Sequence, residues 1–342
     1  MKTKNQLLVP KVLIAVIGFV FLMSCGNGSK SSAKDSIAKD SISIAESTPD
    51  FQISLAQWSL HNSFFGELKG WEWFREMLEK SPDSLLRGKL DPANFPSIAA
   101  GYGIKSIELV NTFYYSKADD TEYWAAFKKK CDDAGVSVGL IMCDGLGDLG
   151  NSDVEARDSA VKNHHNWVDI AKLLGAHSIR VNAAGKGTAE EVAANAVAGL
   201  AKLGEYGASK GINIIVENHG GFSSDGKWLA GVMEKVGMDN VGTLPDFGNF
   251  CIERGEDGCA NEYDRYQGMK DLMPYAKGVS AKSHNFDENG NEVDSDFLRI
   301  MKIVKESGFK GYVGIEYEGK KLSEDEGIKA TKALLEKVFK EI

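Results

Sequence analysis

Val192–Lys210 reads V-A-A-N-A-V-A-G-L-A-K-L-G-E-Y-G-A-S-K, and Gly211–His219 continues it as G-I-N-I-I-V-E-N-H. The first stretch is a helical segment. Gly211 stands where that helix must stop, because the chain passes through a left-handed conformation to turn into the next element. Ile212 to Val216 is a short β-branched run, which reads as a buried strand. The strand then ends on polar residues, Glu217, Asn218 and His219. Helix, glycine, apolar strand and polar end form one unit, and its recurrence decides the fold.

Working outward, the strand with its polar end recurs along the chain. It is found at F-Q-I-S-L-A-Q-W (Phe51–Trp58), G-I-K-S-I-E-L-V-N (Gly103–Asn111), G-V-S-V-G-L-I-M-C-D (Gly135–Asp144) and G-A-H-S-I-R-V-N (Gly175–Asn182). Beyond Gly211–His219 come V-G-T-L-P-D-F-G-N (Val241–Asn249), G-V-S-A-K-S-H-N-F-D (Gly278–Asp287) and G-Y-V-G-I-E-Y-E-G (Gly311–Gly319). Helical stretches fill the gaps, and strands alternating with helices imply parallel pairing. Eight such units over residues 51–342 predict an α/β fold, a single closed (β/α)₈ TIM barrel, which typically takes about 250 residues. An open doubly wound sheet is the alternative, but no G-x-G-x-x-G follows the first strand to give it a purpose. Between the first two strands G-E-L-K-G-W-E-W-F-R-E-M-L-E-K-S-P-D (Gly66–Asp83) adds an amphipathic helix. It lies on the active side of such a barrel, where Trp71, Trp73 and Phe74 either wall the pocket or pack on the rim.

Residues 1–50 stand outside this pattern. Lys2, Lys4 and Lys11 precede the apolar run Val12–Met23 and then Ser24-Cys25. A basic head, a short apolar body and a small residue at the cut describe a secretory signal. The run falls short of the roughly 20 residues a spanning helix needs. L-M-S-C resembles a bacterial lipobox, in which Cys25 carries lipid and becomes the N-terminus. Residues 1–25 are therefore expected to be a lipoprotein signal peptide. Residues 26–50, dominated by Ser, Lys and Asp, are expected to be a disordered linker. The protein is then lipid-anchored to a bacterial membrane, facing the periplasm, with no membrane contact beyond Cys25. Its formal net charge of −9 argues against nucleic acid and polyanionic substrates. Of the four remaining cysteines, an oxidising compartment allows Cys251 and Cys259 to bridge, with Cys131 and Cys143 as buried thiols.

Chemistry in a barrel of this kind sits at the C-terminal ends of the strands. Glu217, Asp246, His284 and Glu316 fall at consecutive strand ends, so neighbouring strands converge them. Unpaired carboxylates at one point repel, and some must take up protons. A divalent cation removes the conflict, and carboxylate oxygens with one imidazole suit Mn²⁺, Mg²⁺, Co²⁺ or Zn²⁺. Buried bridges from Glu217 and Glu316 to Arg180 and Lys282 are the plainer alternative.

I-V-E-N-H-G-G, L-P-D-F-G-N-F, V-S-A-K-S-H-N-F-D-E-N-G-N-E and G-Y-V-G-I-E-Y-E-G resemble the xylose isomerase-like TIM barrels, the sugar phosphate isomerase/epimerase and endonuclease IV superfamily. The resemblance covers Phe51 to Ile342. It implies metal ligands at Glu217, Asp246, His284 and Glu316, with Glu217 and Glu316 also the catalytic acid/base pair. The strand-seven pattern H-x-K-D-x-D-x-x-G departs here. A gapless match on the D-E-N-G tail puts Lys282 in the ligand place, two residues before His284 on the same face. An ammonium there would oppose a metal.

The expected reaction is a metal-dependent sugar isomerisation or epimerisation through an enediolate, on a free sugar or keto-sugar. Trp58, Arg180, His219, Asn249 and Lys282 are the expected substrate contacts, with Phe250 a second stacking surface. Nothing resembles a phosphate cradle. A 3-keto-glycoside lyase working by β-elimination is the runner-up, and a non-catalytic sugar-binding lipoprotein is a third reading. An endonuclease is disfavoured by the acidic charge and the scarcity of histidines. The expected partner is a small-molecule sugar, with a homo-oligomer left open.

Overall fold

The computed structural model describes residues 50–256 and 258–342. The expected signal peptide, Cys25 and the linker up to residue 49 lie outside them. Ten strands occur in the described chain: β1 (Phe51–Ala56), β2 (Ser106–Val110), β3 (Ser137–Met142), β4 (Ser178–Val181), β5 (Asn213–Glu217), β6 (Val241–Leu244), β7 (Cys251–Gly255), β8 (Gly258–Glu262), β9 (Val279–Ser283) and β10 (Gly311–Tyr317). Eight form one sheet in the order β6-β5-β4-β3-β2-β1-β10-β9, with every pairing parallel. The sheet curls until its edges meet. Phe247 N donates to Ser280 O at 3.0 Å and Ser280 N to Pro245 O at 2.9 Å, and residue-level bridges join Thr243 to Ala276 and Asp246 to Ser280. This is the expected TIM barrel, in the xylose isomerase-like form.

Helices cover the outside: α1 (His61–Phe65), α2 (Trp71–Lys80), α3 (Phe95–Gly101), α4 (Thr121–Ala134), α5 (Val154–Leu174), α6 (Ala189–Lys210), α7 (Gly226–Val236), α8 (Arg265–Leu272), α9 (Phe297–Glu306) and α10 (Glu324–Glu341). The unit that decided the fold shows how they form. Thr188 and Glu191 cap the start of α6 reciprocally, satisfying backbone N–H groups that the helix cannot. Its buried face, with Ala193, Ala196, Leu200 and Leu203, packs inward, and Gly211 ends it at φ +73°. Ile214 to Val216 then run fully buried to Glu217. Strands covered on both sides are expected to be apolar, and Ile214 to Val216 are, whereas Glu108, Arg180, Ser280 and Lys282 are buried polar exceptions on neighbouring strands.

Two elaborations shape the open end of the barrel. The inserted α2 is anchored by aromatic packing: Phe74 meets Phe65 edge-on at 5.2 Å, and Phe65 stacks on Phe113 at 4.4 Å. Leu78 of the same helix rests on Gly145 after β3. A Cβ on Gly145 would come within 2.8 Å of the Leu78 side chain, and its φ is +73°, so only glycine suits this approach. The second elaboration is the antiparallel hairpin β7–β8, which the sequence pattern does not announce. The Cys251–Cys259 disulfide ties it, with Cα atoms 5.7 Å apart. Cys131 and Cys143 are free and buried.

Candidate active site

The strand ends deliver three carboxylates to one place. Oxygens of Glu217, Asp246 and Glu316 all lie within 4.8 Å of one another, and the three residues are 1%, 0% and 4% exposed. Each is held by neighbours. Asp246 Oδ1 accepts from the backbone of Gly248 and Asn249, both at 2.8 Å. Ser280 Oγ lies 2.6 Å from Asp246 Oδ2 and 2.9 Å from Glu316 Oε2, joining the two acids through one hydroxyl. Asn249 Nδ2 donates to Glu217 Oε1 at 3.0 Å. Arg180 Nε approaches Glu217 Oε2 at 2.8 Å, close enough for an ion pair but out of line for an N–H···O bond.

His284 does not join them. β9 ends at Ser283, and the chain turns away before the two-residue alternation can bring His284 inward. His284 lies instead beside Glu292 and Asp294, its backbone N–H donating to Glu292 Oε1 at 3.2 Å. The inward position belongs to Lys282, the last strand residue but one. Its Nζ is 2.7 Å from Glu318 Oε1 and 3.5 Å from Glu316 Oε1. The expected fourth metal ligand is thus corrected to an ammonium. Three convergent carboxylate oxygens still fit a divalent cation by donor type and spacing, so Glu217, Asp246 and Glu316 are acidic groups able to hold one beside Lys282.

The electrostatics follow from burial among these charges. Burial raises the Asp246 and Glu316 carboxyls above their ordinary range; Lys282 opposes this, and the neighbouring acids add to it. Glu318 behaves oppositely. Burial alone would raise it, but the Lys282 ammonium, by charge and hydrogen bond, holds it at about 2. Lys282 is itself pushed well above the usual lysine value, because Glu316, Glu318 and Asp246 outweigh its desolvation. Asp144 is likewise held at about 2 despite burial, by Arg180 first, whose Nη1 lies 2.7 Å from Asp144 Oδ1. Deeper in the barrel, burial lifts Glu108 to about 8. Ser54 Oγ donates to its Oε1 at 2.5 Å, while its Oε2 has no hydrogen-bond partner.

A cavity of about 490 Å³ opens above the carboxylates. All five expected substrate contacts, Trp58, Arg180, His219, Asn249 and Lys282, line it, together with Glu316 and Glu318. Glu217 and Asp246 sit beneath this lining. Phe250 does not reach it: the ring is fully buried, packed where a Cβ on Gly268 would fall 2.2 Å from it. Phe74 of α2 lines the cavity, whereas Trp73 faces Arg87, whose guanidinium lies 4.8 Å from its ring centroid. His61 stacks on Trp58 at 4.9 Å and bonds its carbonyl. Asp144, Ser280, Arg75 and Arg254 were not among the expected site residues. Asp144 was visible as a strand end; Ser280 lies mid-strand and Arg254 on the unforeseen hairpin, with no pattern to mark them.

Known proteins share the fold. The sequence pattern of the xylose isomerase-like TIM barrel family matches residues 96–338. A xylose isomerase-like TIM barrel protein from Mycobacterium smegmatis, solved in complex with magnesium, superposes with a TM-score of 0.60 at 15% identity, covering 86% of this chain and 99% of its own. The 3-keto-D-glucoside 4-epimerase from E. coli superposes with a TM-score of 0.57 at 13% identity, covering 85% and 100%. Identities this low speak for the fold alone. The C-glycoside deglycosidase alpha subunit of Arthrobacter globiformis is 43% identical over 49 residues, 14% of each chain, so this chain matches only a small part of that relative's length.

Proposed function

The chain belongs to the xylose isomerase-like TIM barrel family, and from that premise we propose that it is an isomerase or epimerase of a free sugar or keto-sugar. The observation that carries the reading is the pair Glu217 and Glu316, converging beneath one cavity from strands on different sides of the barrel. A proton removed next to a carbonyl on one face and returned on the other needs two such groups. Glu316 reaches the cavity, and burial raises its carboxyl above the ordinary value, the direction that favours proton exchange over permanent ionisation. Glu217 is its partner, oriented by Arg180 and Asn249. When bound by Glu217, Asp246 and Glu316, a divalent cation supplies Lewis acidity toward a carbonyl oxygen and its neighbouring hydroxyl. Lys282 offers a fixed positive charge to developing negative charge on substrate oxygen. Arg180, His219 and Asn249 position hydroxyls, and Trp58 supplies a stacking face. The lipid anchor at Cys25 and a periplasmic location belong to the same proposal, and fit a non-phosphorylated substrate.

The deglycosidase match favours one second reading, cleavage of a 3-keto-glycoside by β-elimination. The same proton removal would then expel the aglycone.

The test uses Glu316→Gln and Glu217→Gln with keto-sugars and keto-glucosides as substrates. Each variant should bind ligand and lose turnover by about 10²–10⁴-fold, the usual contribution of a positioned acid or base. Released aglycone identifies the lyase; an inverted or isomerised sugar identifies the epimerase. Binding without turnover in the wild type would make this a sugar-binding lipoprotein. Full turnover in both variants would remove the proton shuttle.

A further inference from the structure

Beside the cavity over the carboxylates lies a second one of about 520 Å³. The loops after β4 and β5 and the hairpin strand β7 line it, with Asn182, Ala184, Phe222, Ile252 and Glu253 among its walls. His219 and Gly220 line both cavities. Resting on the reading of the first cavity as a sugar site, we propose that the second seats a further sugar unit. The preferred substrate is then a disaccharide, with its glycosidic bond beside His219.

Three observations carry this. The first is the border between the cavities, which is a row of polar contacts. Arg180 Nη1 lies 2.7 Å from Asp144 Oδ1, and Asn182 Nδ2 donates to the same oxygen at 2.7 Å. Asn182 turns its carbonyl oxygen to His219, whose Nδ1 lies 3.2 Å away. Arg180 and Asp144 line the first cavity, Asn182 the second and His219 both. Because Asn182 Oδ1 can only accept, His219 Nδ1 donates, and in the neutral ring Nε2 is left to accept from a hydroxyl. A ligand spanning both cavities therefore meets hydrogen-bonding groups along its whole length.

The second is the surface on offer. Of the residues lining the second cavity only Ala183, Val192 and Ser223 are buried; the others are half-buried or exposed. Phe222 packs against Trp228 at 5.9 Å and stays half-buried, leaving apolar area for the C–H face of a sugar ring. Glu253 and His219 are exposed and offer polar groups to its hydroxyls. An aromatic beside a few polar groups is the usual make-up of a small-molecule site, and each cavity falls within the common range of about 300–1,000 Å³.

The third is construction. β7 lies along the border: Cys251 and Arg254 line the first cavity, Ile252 and Glu253 the second. A barrel does not need this hairpin in order to close, and the Cys251–Cys259 disulfide ties it. One fixed element therefore shapes both cavities.

The experiment measures binding to the wild-type protein by calorimetry, comparing the methyl glycosides of glucose, galactose and xylose with cellobiose, maltose, lactose and xylobiose. The disaccharide that binds best should bind at least tenfold more tightly than the methyl glycoside of either of its units. Phe222→Ala removes the apolar face, and Ala184→Trp fills the second cavity from an exposed position. Each should pull that ratio toward one while the methyl glycosides bind as before, with thermal melts showing that the fold survives. If the loss of packing on Trp228 unfolds Phe222→Ala, Ala184→Trp decides alone. Equal binding of disaccharides and methyl glycosides, or a ratio unmoved in the folded variants, overturns the second seat and leaves the sugar site standing. Failure of every glycoside and disaccharide to bind overturns the sugar site, and this inference with it.

Discussion

Replacing Lys282 by Met removes the one ammonium set among the buried acids while keeping most of the side chain's volume. The side chain is 4% exposed, and Glu318 at 2.7 Å is its nearest partner. Glu318 is held at about 2 instead of its ordinary 4.5, and one pKa unit corresponds to about 1.36 kcal/mol, so the pairing accounts for roughly 3 kcal/mol. Lys282 is buried but Glu318 is 29% exposed, so the pairing falls at the lower end of the range, about 3–5 kcal/mol, that breaking a buried ion pair from one side costs. Urea denaturation at pH 7 with chelator present should therefore show Lys282→Met about 3 kcal/mol less stable than wild type. The double variant with Glu318→Gln should lose less than the sum of the singles, by about 2 kcal/mol. The pH dependence has a definite sign. A carboxyl depressed by folding stabilises above its unfolded value and loses that contribution as pH falls toward its folded value. The gap between wild type and Lys282→Met should hold above about pH 4.5 and shrink as pH approaches 2. A coupling below about 0.5 kcal/mol, or a gap that does not change on acidification, would refute the pairing.

Glu108 gives the opposite slope. Its carboxyl is raised to about 8, so between about pH 4.5 and 8 the folded chain keeps a proton that the unfolded chain releases. Stability should fall by up to about 1.4 kcal/mol per pH unit there, and Glu108→Gln should flatten the dependence in denaturation series from pH 5 to 8; an unchanged slope contradicts the assignment. The cation site is checked by Mn²⁺ titration. Lys282→Met should bind at least tenfold more tightly than wild type and Asp246→Asn more weakly, whereas equal affinities would mean that ammonium and cation do not share the site.

The barrel was legible because its signals are local. Most barrel strands announce themselves by a glycine, an apolar run and a polar end, and Gly211 turns the chain at φ +73° at the expected boundary. The convergence of Glu217, Asp246 and Glu316 was legible for the same reason, since the strand ends of a parallel barrel share one face. The choice between Lys282 and His284 was not. Both lie on one face of an ideal strand, and only the end of β9 at Ser283 separates them. Phe250 illustrates a second limit. An aromatic beside Asn249 reads as a stacking surface, but the hairpin after it carries the ring into the core against Gly268. The hairpin escaped notice because five-residue exposed strands, such as Gly258–Glu262, carry no apolar alternation.

The barrel's closure between β6 and β9 has a consequence of its own. Neighbouring strands elsewhere are joined by ladders of consecutive pairs, some short or shifted in register, but this seam is sewn by isolated stitches at Thr243–Ala276 and Asp246–Ser280. The second stitch is also where Ser280 ties Asp246 to Glu316. Whatever occupies the three acids therefore fastens the cylinder at a join that no continuous ladder holds. Occupancy would be felt around the whole circumference, as slower amide exchange along both strands of the seam.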